Sequence, residues 1–526
     1  MLRILLGICG VHKVGVYMDQ KQRGFFWFVV VLATAVGFAL YYWRSLDIVS
    51  PFLLGDDAAQ YVLLSRSIVQ GHGYHSIWID GFPLHLKFPF GLPLLFAAAS
   101  CIGSGWAPFF LVPVMAAGGA LVMIFYLLRE REAPLLAWGV VLLTGMTSLM
   151  CLYARSLLSE VPFMFFLMAA LFLADRHLRK VSSGRREAVL FVFVMVGVSF
   201  LRTAGVLLPF VFLILLLAGH RWRVSGLGVL QKIVAVSIIV PIIIWLVAGY
   251  FSEAGAGESY WFLLARYVDP VKGMVGSGSV YGAVLTCLKG GYALVFYAIP
   301  SAMTNCILAQ RVWWAGLLTG VVGVGWWFCF RRYKGILEIF FVVYLLGLSV
   351  WPWVQSSGIR MVLPVLPLLY YYFLSGVGAL MQKVFPKRVA VSLLSVCLGV
   401  FAFMSIRHGV LAGEKMLGPS ASVSNPSGME LAFSWIRQNT PSTALFLSPV
   451  PASVYLYAGR KSMSGPALYG LSDDDIKGLF GVNGFDYVFD PAAVIWRREA
   501  LGSVRERLEL VYEAGGSRIY KVRQGP

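Results

Sequence analysis

The sequence predicts a polytopic α-helical membrane protein of about 11–13 transmembrane helices, with a small α/β domain at its C-terminal end. Three observations predict it. Hydrophobic residues make up 59% of the 526 positions and charged residues only 13%, where a soluble domain carries about 25% charge. Apolar runs long enough to span a bilayer recur through residues 25–410. Beyond residue 424 they give way to short alternating segments separated by turn residues.

Taken in order, residues 1–24 carry Arg3, Lys13, Lys21 and Arg23 and are too short and interrupted for a secretory signal, so they read as a cytosolic arm. A first span covers 25–43, followed by a polar loop over 44–93. Residues 88–102 are apolar but short and proline-rich, either a span or a helix lying against the membrane. Further spans fall near 106–128, 133–151, 158–174, 188–203, 205–219, 233–250, 312–330, 339–356, 361–381 and 389–407. The stretch 281–308 is apolar enough to cross, yet a single crossing would put the basic run Arg331 to Lys334 outside. It reads as an interfacial or re-entrant segment, or as two crossings. The tail, 424–526, forms a separate domain. SWIRQNTP ends an amphipathic helix at a proline. ALFLSP, VYLYAGR, DYVFDP and LELVYEAGGSRIYKVR carry strand patterns.

The formal charge is +18. Nucleic-acid binding is one source of such an excess, but the distribution points elsewhere. The tail holds 11 basic and 10 acidic residues, whereas the loops assigned to the cytosol (1–24, 129–132, 175–187, 221–232, 331–338 and 383–388) hold 20 basic and 6 acidic. This is the positive-inside bias. It places the N-terminus in the cytosol and the C-terminal domain outside, in what reads as a bacterial cytoplasmic membrane, with membrane lipid rather than nucleic acid as surroundings. The seven cysteines show no CxxC spacing and none lies in the tail, so they read as small packing residues.

Residues 53–93 organise the rest. Asp56 and Asp57 are adjacent and open a helical pattern in which Tyr61, Leu64, Ser65 and Ile68 recur at three and four. One acid is enough to cap a helix start. The second is then available to a cleft. Asp57, four residues before Tyr61 and on its face, is assigned that role and Asp56 the cap, with the reverse register left open. Joining a sugar to an alcohol requires removal of the acceptor's hydroxyl proton, which a carboxylate within hydrogen-bond reach can take. A nearby anion also favours the oxocarbenium-like transition state. Gly71 or Gly73 in GHGY stops the helix. His72 and His75 are either exposed polar residues or, with an acid, part of a metal site; a divalent metal stays open, and no other cofactor is indicated. Lys87 either snorkels to headgroup level or neutralises a phosphate. Arg155 and Glu160 flank the start of a span, Arg202 interrupts an apolar run, and Arg360 precedes a proline-rich span. Arginines there are costly and are kept for function, for an ion pair with Glu160, or for a headgroup contact. Arg266 lies in an outer loop and is a weaker candidate.

In this order the residues resemble the GT-C membrane glycosyltransferases, on the branch of the protein O-mannosyltransferases and lipid A aminoarabinose transferases. Three features carry the resemblance. Asp57, Tyr61, Gly71, Gly73, Tyr74, Pro89, Gly91 and Pro93 reproduce an acid-x-x-x-Tyr helix, a Gly-x-Gly-Tyr stop and a Pro-x-Gly-x-Pro segment. Ser159, Glu160 and Pro162 open a span. Arg360 precedes a proline-rich span, and a YLYAGR segment (455–460) lies in the tail. The resemblance covers most of the chain. It implies a glycosyltransferase that moves a sugar from a polyprenyl-phosphate donor to an extracytoplasmic lipid, glycan or protein, with inversion. Asp57, or Asp56, would be the catalytic acid; Lys87, Arg360, Arg202 and Arg266 would face the donor phosphate; Tyr61, Tyr74, Glu160 and Arg155 would face substrate. Two departures stand out: the family's usual Asp-Glu pair is Asp56-Asp57 here, and its Pro-Pro-Gly is Pro89-Phe90-Gly91. The alternative is a lipid or glycan transporter. Transporters place polar groups near mid-membrane, whereas these acids gather in one outer loop.

Overall fold

The computed structural model describes residues 20–46, 55–179, 185–217, 280–304, 312–350, 354–384, 428–464, 484–491 and 506–523, with 386 and 399 singly. The predicted span at 233–250 and Arg266 lie outside the described residues, as does the span at 389–407 apart from Gly399.

The helical body runs α1 (Gln20–Arg44), α2 (Gly55–Val69), α3 (Gly91–Ser100), α4 (Ala107–Arg129), α5 (Pro134–Met146), α6 (Ser148–Ala154), α7 (Glu160–Leu178), α8 (Arg185–Leu201), α9 (Leu207–Leu217), α10 (Val280–Ala293), α11 (Ile299–Thr304), α12 (Val312–Tyr333), α13 (Ile336–Val350), α14 (Val354–Val362) and α15 (Leu366–Val384). Among the described residues, α1, α4, α7, α12 and the run Gly358–Lys383 are each long and apolar enough to cross a membrane. The pair α5–α6, bent by 64° at its break, makes a sixth if taken as one span. These are five or six of the 11–13 expected crossings. Shorter apolar helices stand at four other predicted positions, α3, α8, α9 and α13. The stretch 281–308 is helical through Thr304, with a π-helical segment over Leu294–Ala298 between α10 and α11.

One continuous core fills the bundle, with α4 packed on α1 and α7 and α12 packed on α15. Tyr370, Tyr371 and Tyr372 are fully buried in it. The opposite side of α12 exposes Trp313, Trp314, Leu317, Trp327 and Phe328. Such an apolar exterior suits contact with lipid, with tryptophans toward the interface.

At the end of the bundle remote from the C-terminal domain, Arg131 is buried between two acids. Its Nη2 lies 2.5 Å from Asp175 Oδ1 and its Nη1 2.6 Å from Glu338 Oε1. Tyr333 Oη donates to the Arg131 carbonyl at 2.6 Å. One guanidinium thus ties the α4–α5 turn to α7 and α13. Both acids lie in segments read from sequence as cytosolic loops; in the fold they sit in the ends of α7 and α13 and are buried.

The tail builds α16 (Gly428–Asn439), β1 (Phe446–Ser448), α17 (Pro451–Ala458), β2 (Ser462–Ser464), β3 (Tyr487–Asp490), β4 (Leu508–Ala514) and β5 (Ser517–Val522). The sheet order is β2-β1-β3-β5-β4, with β1 parallel to β2 and β3 and the rest antiparallel. One reading is corrected: VYLYAGR is not a strand. Pro451 occupies the first helical turn, and Gly459, at φ +69°, terminates α17 in the left-handed conformation. Proline at a helix start and glycine just past its end outweigh the β-prone composition between them.

Replacing Arg131 by alanine leaves two buried carboxylates without their shared partner. The expected cost is about 3–5 kcal/mol of stability, read as a lowered unfolding temperature of the detergent-purified protein.

Candidate active site

The starts of α2 and α7, the end of α8 and the whole of α14 meet at the end of the bundle that carries the C-terminal domain. Each delivers one charged side chain. Asp57 lies in the first turn of α2, which starts at Gly55 with φ +64°. Glu160 opens α7, where a helix N-terminus favours an anion. Arg202 is extended (φ −150°, ψ 144°) between α8 and a 3₁₀ turn over Thr203–Val206. Gly205 permits this break, since a Cβ there would meet Val198 O at 2.2 Å. Arg360 sits in α14, ahead of a 3₁₀ turn containing Pro364.

These groups form one network. Arg360 Nη1 donates to Asp57 Oδ2 at 3.0 Å, and Arg360 Nε donates to Glu160 Oε1. Arg202 Nη1 donates to the same Glu160 oxygen at 2.5 Å and lies 3.4 Å from Ser159 Oγ. Tyr61 Oη donates to Ser159 Oγ at 3.4 Å. Lys87 Nζ stands 3.4 Å from Asp57 Oδ1 and 3.4 Å from Gln60 Oε1. Glu160 is fully buried and its Oε2 has no hydrogen-bond partner among the described residues. Asp57, Lys87 and Arg360 keep 34%, 24% and 25% of their side-chain surface exposed, so the cluster opens on the Asp57–Lys87–Arg360 side. Three cations, Lys87, Arg202 and Arg360, thus gather with Asp57 and Glu160 beside an opening, while the neighbouring acid, Asp56, is taken up by the C-terminal domain.

The Lys87 segment is held from below. Phe90 packs on Phe200 with ring centroids 4.3 Å apart and planes tilted by 34°. Gly91 allows α3 to start against α8, where a Cβ would meet Phe200 O at 2.6 Å. The glycine of the Pro-x-Gly-x-Pro motif therefore answers a close backbone approach.

Asp56 and Asp57 point to different tasks. Asp56 Oδ1 accepts from Ser453 N at 3.1 Å and Ser453 Oγ at 3.3 Å, and its Oδ2 accepts from Gln60 Nε2 at 2.6 Å. It does cap a helix, but that helix is α17 of the C-terminal domain, whose own N-cap residue, Val450, supplies no side-chain bond. Burial pushes the Asp56 carboxyl above its ordinary pKa, and Lys87 and the hydrogen bonds offset this only in part. Burial also pushes Asp57 up, but the charges of Lys87 and Arg360 outweigh it and hold that carboxyl at about 2.

The same junction carries an apolar core of Ala59, Leu63, Leu64, Ile77, Trp78, Ile79 and Ala452. Lys461 reaches Asp80 at 2.5 Å, and Ser462 N donates to Trp78 O at 3.0 Å. The C-terminal domain is thereby fixed to the loop that holds the acids.

Other predicted residues are used differently. Arg155 donates to the Ser45 and Cys151 carbonyls, each at 3.0 Å, and joins α6 to the end of α1. Tyr74 Oη donates to Phe88 O at 2.9 Å. His72 stacks on Phe82, and His75 forms a β-bridge with Leu84. Among the described residues no three His, Cys, Asp or Glu side chains gather as metal ligands. Sequence reasoning missed Gln60, Ser453 and His85. Gln60 is signalled by its spacing of four from Asp56; Ser453 has no local signal.

Substituting Asp56 by alanine removes the acceptor for Ser453. The junction is expected to loosen by about 0.5–2 kcal/mol, as for a lost helix cap. Limited proteolysis should release the C-terminal domain several-fold faster from this variant, while Asp57→Ala leaves that rate unchanged.

No family model and no curated protein matches the sequence. Solved structures do match the fold. Archaeal oligosaccharyltransferase AglB from Archaeoglobus fulgidus, in complex with an inhibitory peptide and a dolichol-phosphate, aligns at TM-score 0.57 and 14% identity over 88% of this chain and 69% of its own. An Archaeoglobus fulgidus oligosaccharyltransferase tethered with an acceptor peptide aligns at TM-score 0.58 and 14% identity, over 95% of this chain and 74% of its own. ArnT from Cupriavidus metallidurans, bound to undecaprenyl phosphate, aligns at TM-score 0.56 and 16% identity over 94% and 98%. The chain has the fold of the GT-C membrane glycosyltransferases.

Proposed function

We propose that the protein transfers a sugar from a polyprenyl-phosphate donor to an extracytoplasmic acceptor, with inversion at the sugar carbon. The observation that carries this reading is the cationic cluster of Lys87, Arg360 and Arg202 around Asp57 and Glu160, open on one side. Two solved proteins of this fold are bound to polyprenyl-type phosphates, a dolichol-phosphate and undecaprenyl phosphate. The membrane orientation read from loop charge puts the cluster on the non-cytosolic side, where a lipid donor presents its phosphate at the boundary. A transporter is less well supported, because the charges lie at one end of the bundle under a docked domain.

In the reaction, the acceptor oxygen forms a bond to the sugar carbon as the bond from that carbon to the phosphate oxygen breaks. Asp57 takes the acceptor's proton, and the electron pair leaves on the phosphate. Lys87 and Arg360 neutralise that leaving group, and they act more strongly once a donor filling the opening has displaced water. Arg202 holds Glu160, which in turn orients Arg360. A carboxylate at about 2 is a weak base. The donor phosphate competes with Asp57 for Lys87 and Arg360, so its arrival raises the basicity of Asp57 and prepares it for the acceptor.

Purified protein reacted with a panel of polyprenyl-phosphate sugars tests the reading. Asp57→Asn is expected to lower kcat by about 10²–10⁴-fold, the usual range for a lost general base. Arg360→Gln should raise KM for the donor by about 10–100-fold, through loss of a charged hydrogen bond. Unchanged turnover in Asp57→Asn ends the assignment of the base.

The pH dependence follows from the depressed carboxyl. Asp57 of the free enzyme is ionised wherever pH exceeds about 2, so kcat/KM for the donor shows no acid limb from this group between about pH 4 and 8. In Arg360→Gln the carboxyl loses a stabilising cation and its pKa rises, so an acid limb moves upward. Initial rates across that range check the shift.

A further inference from the structure

His85 lies two residues before Lys87, and its ring is buried at 2% exposure. Both ring nitrogens are engaged. Phe88 N–H donates to Nε2 at 3.3 Å, and Nδ1 lies 3.0 Å from Ser76 Oγ. A backbone amide only donates, so Nε2 carries the lone pair and the proton sits on Nδ1, shared with Ser76. Tyr74, Trp78 and Phe88 wall the ring at centroid distances of 5.5–5.6 Å. Burial, with the Lys87 charge second, holds the imidazole down at about 3. It is therefore neutral at working pH. A second proton would turn Nε2 into a donor facing a donor.

The contacts converge on one residue. The Phe88 N–H is taken by His85 and its carbonyl by the Tyr74 hydroxyl at 2.9 Å. The Phe88 ring packs on Tyr61 at 4.6 Å and lies 4.6 Å from the Lys87 ammonium. A short hairpin fixes the base of this arrangement, through His85 N to Tyr74 O at 3.0 Å and Ser76 N to Pro83 O at 2.8 Å. Lys87 is joined to Phe88 by the peptide whose nitrogen His85 holds. Without that bond the peptide between Lys87 and Phe88 loses the hydrogen bond that orients its N–H, and the ammonium is held less closely beside Asp57.

We propose that His85, in its Nδ1–H form, is a positioning residue that fixes the Lys87–Phe88 peptide and thereby sets the Lys87 ammonium against Asp57. The placement of Lys87 stands on its own; its effect on donor rests on the function proposed above. The experiment therefore has two arms on the full-length protein in detergent.

The first arm needs no donor. Lysines are acetylated with an amine-reactive reagent and their rates read by mass spectrometry, with Lys461 as the internal reference. In His85→Phe, which keeps a ring but removes both nitrogens, the Lys87 rate is expected to rise about three- to fivefold, as for a released, partly exposed ion pair, with Lys461 unchanged. A Lys87 rate equal to wild type overturns the proposal. If both lysines react faster, His85→Gln decides, because it keeps one donor and one acceptor: a Lys87 rate back near wild type supports the proposal, and one as high as in His85→Phe overturns it.

The second arm measures binding of undecaprenyl phosphate. His85→Phe and Lys87→Gln should each weaken it, and the double variant should bind no more weakly than Lys87→Gln alone. Full additivity overturns the coupling. Unchanged affinity in Lys87→Gln, with altered labelling in His85→Phe, keeps the positioning role and removes the phosphate role of Lys87.

Discussion

The guanidinium of Arg360 lies between the carboxylates of Asp57 and Glu160, which stand 303 and 200 residues away along the chain. No other single group touches both acids in the described network. Placing Glu160 at the buried start of α7 is costly unless the charge is paired, and Arg202 and Arg360 supply that pairing on one oxygen. The break at Arg202, the amphipathic turn of α14 and the glycine at the foot of α8 all serve the same meeting point. Four helix ends are consequently locked together at one end of the bundle by charge, in addition to the apolar core they share.

Around that lock the structure separates two adjacent acids. Asp56 faces the C-terminal domain and caps α17, while Asp57 faces the cations. Successive residues at a helix start diverge by about 100°, so one turn supplies both a dock for the domain and an acid for the cationic cluster. The consequence is mechanical: the C-terminal domain is attached one residue from Asp57, the acid proposed as the base.

The far end of the bundle repeats the device in a closed form. Arg131 is buried between Asp175 and Glu338, and Arg179 pairs with Asp175 at 3.0 Å. The cluster beside the domain instead keeps Asp57, Lys87 and Arg360 partly exposed. A closed junction suits structure, and an open one with three cations suits an anionic ligand. The contrast within one bundle supports reading only one of them as a site.

The sequence by itself determined the membrane character, the C-terminal α/β domain, the helix opening at Asp56–Asp57 and its stop at Gly71 and Gly73. Each follows from local composition, hydrophobic runs or the conformations that glycine and proline permit. It also marked Asp57, Lys87, Glu160, Arg202 and Arg360, because charges beside apolar runs are conspicuous. Only the tertiary structure decided that these five meet, that Asp56 caps a helix 397 residues away, that Arg155 serves backbone carbonyls, and that PASVYLYA is a helix. Ion pairing and capping across such distances depend on which helix ends share a face of the bundle, and no local pattern encodes that geometry.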